Sequence, residues 1–150
     1  MPNCFISPLI ILISCDQNKS HNNYTEKNIL DHKNKFFEKY LLDLQMNRKR
    51  EMDDKKINIS DKEMKFDIKF FGEKPENGWE LYFSLHGGGQ TEDSVNENAW
   101  IRHKTLYKLK NGILLTPRSP TNTWNMWHQD HIDLFFNRLI QNMIAFYGVN

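Results

Sequence analysis

The sequence is poor in cysteine and has almost no net charge. Its two cysteines, Cys4 and Cys15, both lie near the amino terminus, which excludes a disulfide framework for the rest of the chain. The formal net charge is +1 at pH 7, and no block of Lys and Arg is interleaved with aromatic residues. Because nucleic acid selects basic surfaces with stacking side chains, these absences argue against nucleic acid as a partner.

Apolar residues are abundant enough for a folded domain. Hydrophobic residues make up 39% of the 150 residues and aromatic residues 13%, so the chain can bury a core as one domain or as part of a larger one. Charged and amide side chains crowd residues 19–76, whereas all four tryptophans follow that stretch. Functional chemistry is therefore expected in the second half.

The amino-terminal segment has the pattern of a signal peptide. Residues 5–14 form an apolar run of about ten residues, too short to span a bilayer but typical of a signal-peptide core. The run ends in Leu12-Ile13-Ser14-Cys15, which resembles the lipobox of bacterial lipoproteins. The resemblance implies lipidation of Cys15 and an extracytoplasmic protein, anchored to a membrane or secreted. Residues 1–4 carry no Lys or Arg, so a buried amino-terminal strand remains the alternative.

A long helix and a strand are predicted next. From Thr25, the expected N-cap, to about Met52, apolar residues recur close to every 3.6 residues, which predicts an amphipathic helix with a solvated charged face. The apolar stripe comprises Ile29, Phe36, Phe37, Tyr40, Leu41 and Leu44. Residues 65–70 alternate between apolar and charged, which predicts a half-buried strand. Asn77-Gly78 then predicts a hairpin turn into an antiparallel strand over residues 79–85.

A helix and a buried strand follow. Ser94 and Glu97 have the spacing of a capping box, which predicts a helix from there to about Tyr107, closed by Asn111-Gly112. The apolar run over residues 113–116 is typical of a buried parallel strand, and the following proline should end it.

The last element is a strongly apolar helix between Asp130, the expected N-cap, and Gly148, the expected C-cap. The order of elements predicts an α/β fold in which an antiparallel hairpin leads into a mostly parallel sheet with flanking helices.

Three consecutive glycines, Gly87-Gly88-Gly89, lie between a predicted strand and a predicted helix. Glycine loses the most backbone entropy on ordering, so this run indicates a backbone that must approach a ligand closely. Amide N–H groups that point into one space stabilise an oxyanion, each contributing about 3 kcal/mol to a transition state. A flexible surface turn is the alternative. The position at the carboxyl end of a strand, where ligands bind in open α/β sheets, favours the functional interpretation.

With His86 in front, the loop matches the His-Gly-Gly-Gly motif of lipases and esterases with the α/β-hydrolase fold. Residues 64–150 resemble a bacterial α/β-hydrolase family related to polyhydroxybutyrate depolymerases and other secreted esterases. The resemblance is carried by Glu73-Lys74-Pro75, by Leu85-His86-Gly87-Gly88-Gly89, and by Leu115-Thr116-Pro117-Arg118-Ser119-Pro120-Thr121-Asn122-Thr123-Trp124-Asn125-Met126-Trp127-His128.

This resemblance implies a serine hydrolase with its oxyanion hole at residues 86–89. Backbone amides of Gly87, Gly88 and Gly89 are the implied donors, and His86 is implied to hold the loop. The loop after the next parallel strand is implied to form the wall of the active-site mouth, with Trp124, Trp127 and His128 as substrate-binding residues. Packing in the core is the alternative for the two tryptophans.

The catalytic serine is expected beyond Asn150. No Gly-x-Ser-x-Gly elbow occurs in the chain, and Ser84, Ser94 and Ser119 all lack the glycine-flanked turn from strand to helix. The catalytic acid and histidine follow the serine in this fold, so they are expected there as well. Gly148 should open the strand that carries the nucleophile.

The predicted function is that of an N-terminal part of an extracytoplasmic serine hydrolase, cleaving small-molecule or polymeric carboxylic esters through an acyl-enzyme. Residues 1–15 are interpreted as signal peptide with lipobox, 16–62 as charged tether and amphipathic helix, and 63–150 as the N-terminal part of the hydrolase domain. The chain alone is expected to be inactive, and no cofactor is expected. The alternative is a non-catalytic, hydrolase-like lipoprotein that acts as a binding or structural module.

Histidines elsewhere in the chain have side chains that can act as metal ligands. His128-Gln129-Asp130-His131 brings together two imidazoles and a carboxylate, which are zinc-ligating groups. The segment lacks a distant third ligand, and Asp130 is already explained as a helix cap, so no metal is expected. His103, between Arg102 and Lys104, is expected on a solvated helix face.

Overall fold

The computed structural model describes residues 25–150, which contain three helices and four strands. In chain order they are α1 (Glu26–Asp54), β1 (Lys56–Ile59), β2 (Lys62–Phe71), β3 (Leu81–Phe83), α2 (Asp93–Leu106), β4 (Gly112–Pro117) and α3 (Asp130–Tyr147). The predicted signal peptide, lipobox and Cys15 lie outside the described residues. No helix within residues 25–150 is long and apolar enough to cross a membrane.

The four strands form one mixed sheet in the order β1-β2-β4-β3. β2 is antiparallel to both of its neighbours, whereas β3 runs parallel to β4. All six residues of β4 are buried, as its continuous apolar run predicts. The α/β class predicted from the sequence is confirmed, with a sheet that is mixed rather than mostly parallel.

The predicted hairpin between β2 and β3 is wrong, because β4 lies between them. Asn77-Gly78 does form a turn, in which Gly78 donates its N–H to the carbonyl oxygen of Pro75 at 3.1 Å. β2 forms its hairpin with β1 instead, a strand that was not predicted although Ile57 and Ile59 alternate with polar residues. A turn sequence determines where the chain reverses, whereas burial of apolar faces decides which strands pair.

The predicted capping box of α2 is also wrong, whereas its predicted end at about Tyr107 is confirmed. The helix begins at Asp93, and its N-cap, Glu92, makes no side-chain capping hydrogen bond. Ser94 therefore lies inside the first turn and caps nothing. Carboxylates of the first two turns pair with Arg118 instead, which replaces the predicted capping box. The helix ends at Leu106 with Tyr107 as its C-cap, although Asn111-Gly112 lies too far along the chain to close it as predicted.

The caps of the other helices follow the prediction more closely. Thr25 is the N-cap of α1, and its hydroxyl accepts a hydrogen bond from the N–H of Asn28 at 3.3 Å. Gly148 is the C-cap of α3, with a left-handed φ of 67°. The N-cap of α3 is Gln129 rather than Asp130, whose carboxylate in the first turn still stabilises the positive end of the helix.

α3 covers one face of the sheet with its apolar stripe. The core formed there comprises Met52, Ile57, Met64, Phe66, Leu115, Ile132, Phe135, Leu139 and Met143. The connection from β3 through α2 to β4 and the one from β4 through α3 move in opposite directions along the sheet. Right-handed crossovers therefore place α2 on the opposite face. There Trp100 donates its indole N–H to the carbonyl oxygen of Thr116 at 2.8 Å.

α1 packs antiparallel on α3 through its carboxyl-terminal half. Asn142, fully buried, donates to Glu51 at 3.0 Å and accepts from Arg48 at 3.1 Å. Arg138 binds the same Glu51 carboxylate through two nitrogens, the shorter contact being 2.6 Å. Residues 25–40 are all exposed, so the predicted helix is confirmed but most of its apolar stripe is uncovered.

A pair of alanine substitutions tests this division between core and surface. Phe135→Ala should lower the free energy of unfolding by about 3–5 kcal/mol, because the ring is fully buried and its loss leaves a cavity. Phe36→Ala removes the same ring at a site that is 74% exposed and should change stability by less than about 0.5 kcal/mol. Urea unfolding followed by circular dichroism measures both, and equal effects would contradict the packing.

Candidate active site

The glycine loop leaves the carboxyl end of β3 and enters α2. Ser84 still pairs with β4, since its N–H donates to the carbonyl oxygen of Leu115 at 2.9 Å, and the chain then leaves the sheet at His86. Because β3 and β4 are parallel neighbours, the loop after β4 starts beside the glycine loop. We call this loop, residues 118–129, the second loop. The two loops form one end of the domain.

His86 connects these loops from a buried position, with 1% of its surface exposed. Its Nε2 accepts a hydrogen bond from the N–H of Ser119 at 3.1 Å, and its Nδ1 lies 2.9 Å from the carbonyl oxygen of Gly87. These partners require a neutral imidazole with the proton on Nδ1. Burial lowers the pKa of His86 below its ordinary 6.5 and outweighs the hydrogen bond to Gly87, which raises it.

Trp127 supports His86 from the second loop. Its indole N–H donates to the carbonyl oxygen of His86 at 2.8 Å, and the two rings meet edge to face with centroids 5.2 Å apart. The ring of Trp127 also stacks on Phe136 of α3. Trp127, predicted as a substrate-binding residue, is thus half-buried and holds the loop backbone.

Gly88 and Gly89 adopt backbone conformations that other residues rarely take, with φ of 115° and 91°. A Cβ on Gly88 would overlap Oδ1 of Asn96, and one on Gly89 would overlap the carbonyl oxygen of Thr123. Gly87 has neither constraint, because nothing lies within 4 Å of a Cβ placed there. Two of the three glycines are therefore required by geometry.

Two asparagines missed by the sequence analysis hold the loop from behind. Asn96, fully buried in α2, accepts a hydrogen bond from the N–H of Gly89 at 2.9 Å and donates to Asn122. The carbonyl oxygen of Asn122 accepts the N–H of Gln90 at 2.9 Å, and its side chain donates to Thr91. An asparagine within a helix, where its propensity is poor, was the available signal for Asn96.

The hydrogen bond to Asn96 removes Gly89 from the set of free donors. In contrast, residues 25–150 offer no hydrogen-bond acceptor to the amides of Gly87 and Gly88, and both glycines are exposed. Two backbone donors at a loop held by side chains on several sides can bind an anionic oxygen that approaches from solvent.

The remaining residues predicted to bind substrate are exposed. Trp124 is 76% exposed, and its backbone lies against Gly89. His128 is exposed and donates its backbone N–H to the carbonyl oxygen of Asn125 at 2.7 Å. Trp124 therefore presents a flat apolar surface beside the glycine loop.

A polar cleft of about 300 Å³ lies on the β2 side of this end of the sheet, around Arg118. The guanidinium is 7% exposed, lies 2.7 Å from Asp93 and 3.4 Å from Glu97, and donates to the carbonyl oxygen of Ser119 at 2.8 Å. Both carboxylates belong to the first two turns of α2, so Arg118 fixes the start of α2 to the second loop. The glycines do not line this cleft.

Two of the serines in the described residues, Ser84 and Ser119, are buried and therefore unsuited to nucleophilic attack. Ser84 is 4% exposed, and its Oγ lies 2.8 Å from Nδ1 of His103, which was expected on a solvated face and is instead half-buried. Ser119 is 3% exposed, and its hydroxyl lies 2.9 Å from the carbonyl oxygen of Thr121. Across residues 25–150, no three His, Cys, Asp or Glu side chains converge as metal ligands would.

No model of a known protein family, no curated protein and no solved structure matches the chain. What the structure defines is an α/β domain with a mixed four-stranded sheet, whose glycine loop presents two free amides at the carboxyl end of β3.

Alanine substitutions in the loop test its geometry. Gly88→Ala should lower the free energy of unfolding by at least about 1–3 kcal/mol, because a positive φ is unfavourable for alanine and the new methyl meets Asn96. Gly87→Ala adds the same methyl in open space and should change stability by less than about 0.5 kcal/mol. Thermal unfolding compares the two, and equal stabilities would contradict the described loop.

Acidification should weaken the contact between the two loops. Since the folded chain holds His86 at a pKa below 6.5, the unfolded chain takes up that proton first as the pH falls. This contribution to stability is present above the unfolded pKa and is lost as the pH falls through it toward the lower folded pKa. We expect the free energy of urea unfolding to fall more steeply between about pH 7.5 and 5.5 in the original chain than in His86→Gln. Parallel pH profiles would show that His86 is not held neutral.

Proposed function

We propose that this chain is the N-terminal part of a serine hydrolase with the α/β-hydrolase fold, completed by residues that follow Asn150, and that the whole protein cleaves carboxylic esters. The observation that carries the proposal is the pair of exposed amides of Gly87 and Gly88, which have no partner within residues 25–150. In α/β-hydrolases, the loop after the third strand leads into a helix and supplies an amide to the oxyanion hole.

The strand order supports the same proposal. β3 pairs with β4 on one side, and Trp79, just before β3, pairs in parallel with Val149 on the other. Two hydrogen bonds of 3.0 Å make this isolated bridge, which lies where the sequence predicts that a further strand begins. The chain connections would then lead to opposite sides of β3, which makes β3 the topological switch point of the sheet. Ligands of open α/β sheets bind at the carboxyl ends of the strands at such a point.

A strand continuing from Val149 would end beside the glycine loop, where this fold carries its Gly-x-Ser-x-Gly nucleophile. In the proposed reaction, the serine oxygen attacks the ester carbonyl carbon while the catalytic histidine accepts its proton. The carbonyl oxygen becomes an oxyanion and accepts hydrogen bonds from Gly87, Gly88 and the residue after the serine. The oxyanion then collapses and the alcohol leaves with the proton, and water releases the acid by the same steps.

His86 has a supporting role in this scheme. Both of its ring nitrogens are engaged, and burial lowers its pKa, so it neither accepts the serine proton nor contacts the oxyanion. The exposed ring of Trp124 forms one wall of the proposed site and offers a flat surface to the acyl group or to a polymer. The proposal also places the protein outside the cytoplasm, held at a membrane through lipid on Cys15.

A non-catalytic binding module is the second candidate. The observation that favours it is the burial of the Ser84 and Ser119 hydroxyls, which leaves neither of these two serines accessible as a nucleophile. In such a module, the exposed Trp124 would contact the ligand.

Ester hydrolysis distinguishes the two candidates. We expect the chain extended in frame by the codons after Asn150 to hydrolyse p-nitrophenyl esters, whereas residues 1–150 alone should show no turnover and no labelling by a fluorophosphonate. Absence of a Gly-x-Ser-x-Gly within about 20 codons in any frame, or an inactive extended chain, would overturn the hydrolase proposal in favour of the module.

Substitutions at Gly87 then test the oxyanion donor. Gly87→Pro removes the amide proton and should lower kcat by about 100-fold to 1000-fold. Gly87→Ala keeps the amide and meets nothing within 4 Å, so its kcat should stay within about twofold of the original. Equal activity of the two variants would show that this amide does not bind the transition state.

A further inference from the structure

The dipeptide Asn-Gly occurs twice in the sequence, as Asn77-Gly78 and as Asn111-Gly112. This dipeptide is chemically labile, because the backbone nitrogen of the glycine can attack the asparagine side chain with no side chain of its own in the path. The attack requires the asparagine side chain and the following peptide group to rotate toward each other. The surroundings of the two copies therefore decide which of them reacts in the folded chain.

Asn77-Gly78 lies in a turn at the surface. Asn77 is exposed, and so is Glu76 before it. The backbone hydrogen bond that closes the turn runs from the N–H of Gly78 to the carbonyl oxygen of Pro75 at 3.1 Å. A surface turn closed in this way opens at a small cost in free energy, which releases the nitrogen of Gly78 and leaves the Asn77 side chain free to rotate.

Asn111-Gly112 is held by the sheet instead. Gly112 is the buried first residue of β4 and pairs with Phe71 of β2. The next residue, Ile113, donates its N–H to the carbonyl oxygen of Glu80 at 2.9 Å, on the β3 side. Asn111 itself is half-buried, and its Oδ1 is buried. Rotation of this dipeptide would pull the start of β4 away from both neighbouring strands, which exposes unpaired backbone groups.

We propose that Asn77 is a modification site, at which the folded chain undergoes spontaneous deamidation, and that Asn111 is protected. The nitrogen of Gly78 gives its proton to a base from solvent and bonds to Cγ of Asn77. The bond from Cγ to Nδ2 breaks, and ammonia leaves with a proton returned by solvent. Water then opens the cyclic imide. Cleavage at Cγ gives aspartate, and cleavage at the main-chain carbonyl carbon gives isoaspartate. None of these steps depends on ester hydrolysis.

Isoaspartate at position 77 has a structural consequence, because it lengthens the main chain by a methylene group. Gly78, which follows directly, has a φ of 99°, and a Cβ placed on it would lie 2.6 Å from the carbonyl oxygen of Gly148. Trp79 then donates to that same oxygen and accepts from the N–H of Asn150, both at 3.0 Å. A longer main chain displaces these closely packed residues, so isoaspartate should break the bridge that Trp79 makes.

Peptide mapping by mass spectrometry measures both sites in one sample of the full chain, incubated at mildly alkaline pH. Deamidation at Asn77 should be at least about tenfold faster than at Asn111, because a local opening costs less than the release of a buried strand. In urea the two rates should converge, because unfolding exposes both dipeptides to solvent. Equal rates in the folded chain, or a ratio that urea leaves unchanged, would overturn the assignment of Asn77.

Hydrogen exchange at the backbone amide of Trp79 measures the effect on the bridge. In chain that has formed isoaspartate, this amide should exchange at least about tenfold faster than before incubation. Asn77→Asp is the matched control, measured without incubation, because it carries the product's charge on an unaltered main chain, and it should keep the protection. Asn77→Gln forms the cyclic imide far more slowly and should keep the protection through the same incubation.

Two exchange results would overturn the proposed effect of isoaspartate. One is an unchanged Trp79 amide in chain that contains isoaspartate. The other is equally fast exchange in Asn77→Asp, which would show that the new charge, and not the longer main chain, opens the bridge.

Discussion

The organisation of this domain depends on the complete burial of β4. A strand with all six residues buried must hydrogen bond along both edges and be covered on both faces, because an unpaired backbone group away from water costs free energy. β2 and β3 occupy the edges, and helices on opposite sides cover the faces. One consequence is local to the site: the loops after β3 and β4 start side by side, which brings His86 within reach of Ser119.

The backbone of the glycine loop is held by contacts that come from outside it. His86 is held by the second loop, Gly89 by Asn96 of α2, and Gln90 by Asn122. Donors that are already positioned need no reorganisation when charge develops on a ligand, which is the main advantage of such a site over water. The amides of Gly87 and Gly88 lie between these held positions.

The second half of α1 is fixed to α3, whereas residues 25–40 of its first half are exposed. The contacts of Arg48, Glu51 and Asn142 with α3 orient the whole helix relative to the sheet. Because α3 runs back from the carboxyl end of β4, the exposed half of α1 extends at the end opposite the glycine loop.

Local sequence patterns were sufficient to predict most of the helices and strands and the position of the glycine loop. The periodicity of α1 and α3, the apolar run of β4, the caps Thr25 and Gly148, and the glycines after β3 were all predicted from neighbouring residues. These features depend on the conformation of a few consecutive residues, and that information is present in the sequence itself.

Strand pairing and side-chain contacts could be identified only from the tertiary structure. Asn77-Gly78 predicted the wrong hairpin, because a turn does not select its strand partner, and β1 was missed although its alternation was visible. In the sequence, little distinguishes Asn96, Asn122 and Arg118 from other polar residues. Their roles depend on the folding that brings them against the loops. Even the number of free amides, two rather than three, depends on Asn96 reaching Gly89 across seven residues of chain. Contacts between distant residues leave no local pattern, so they were decided by packing.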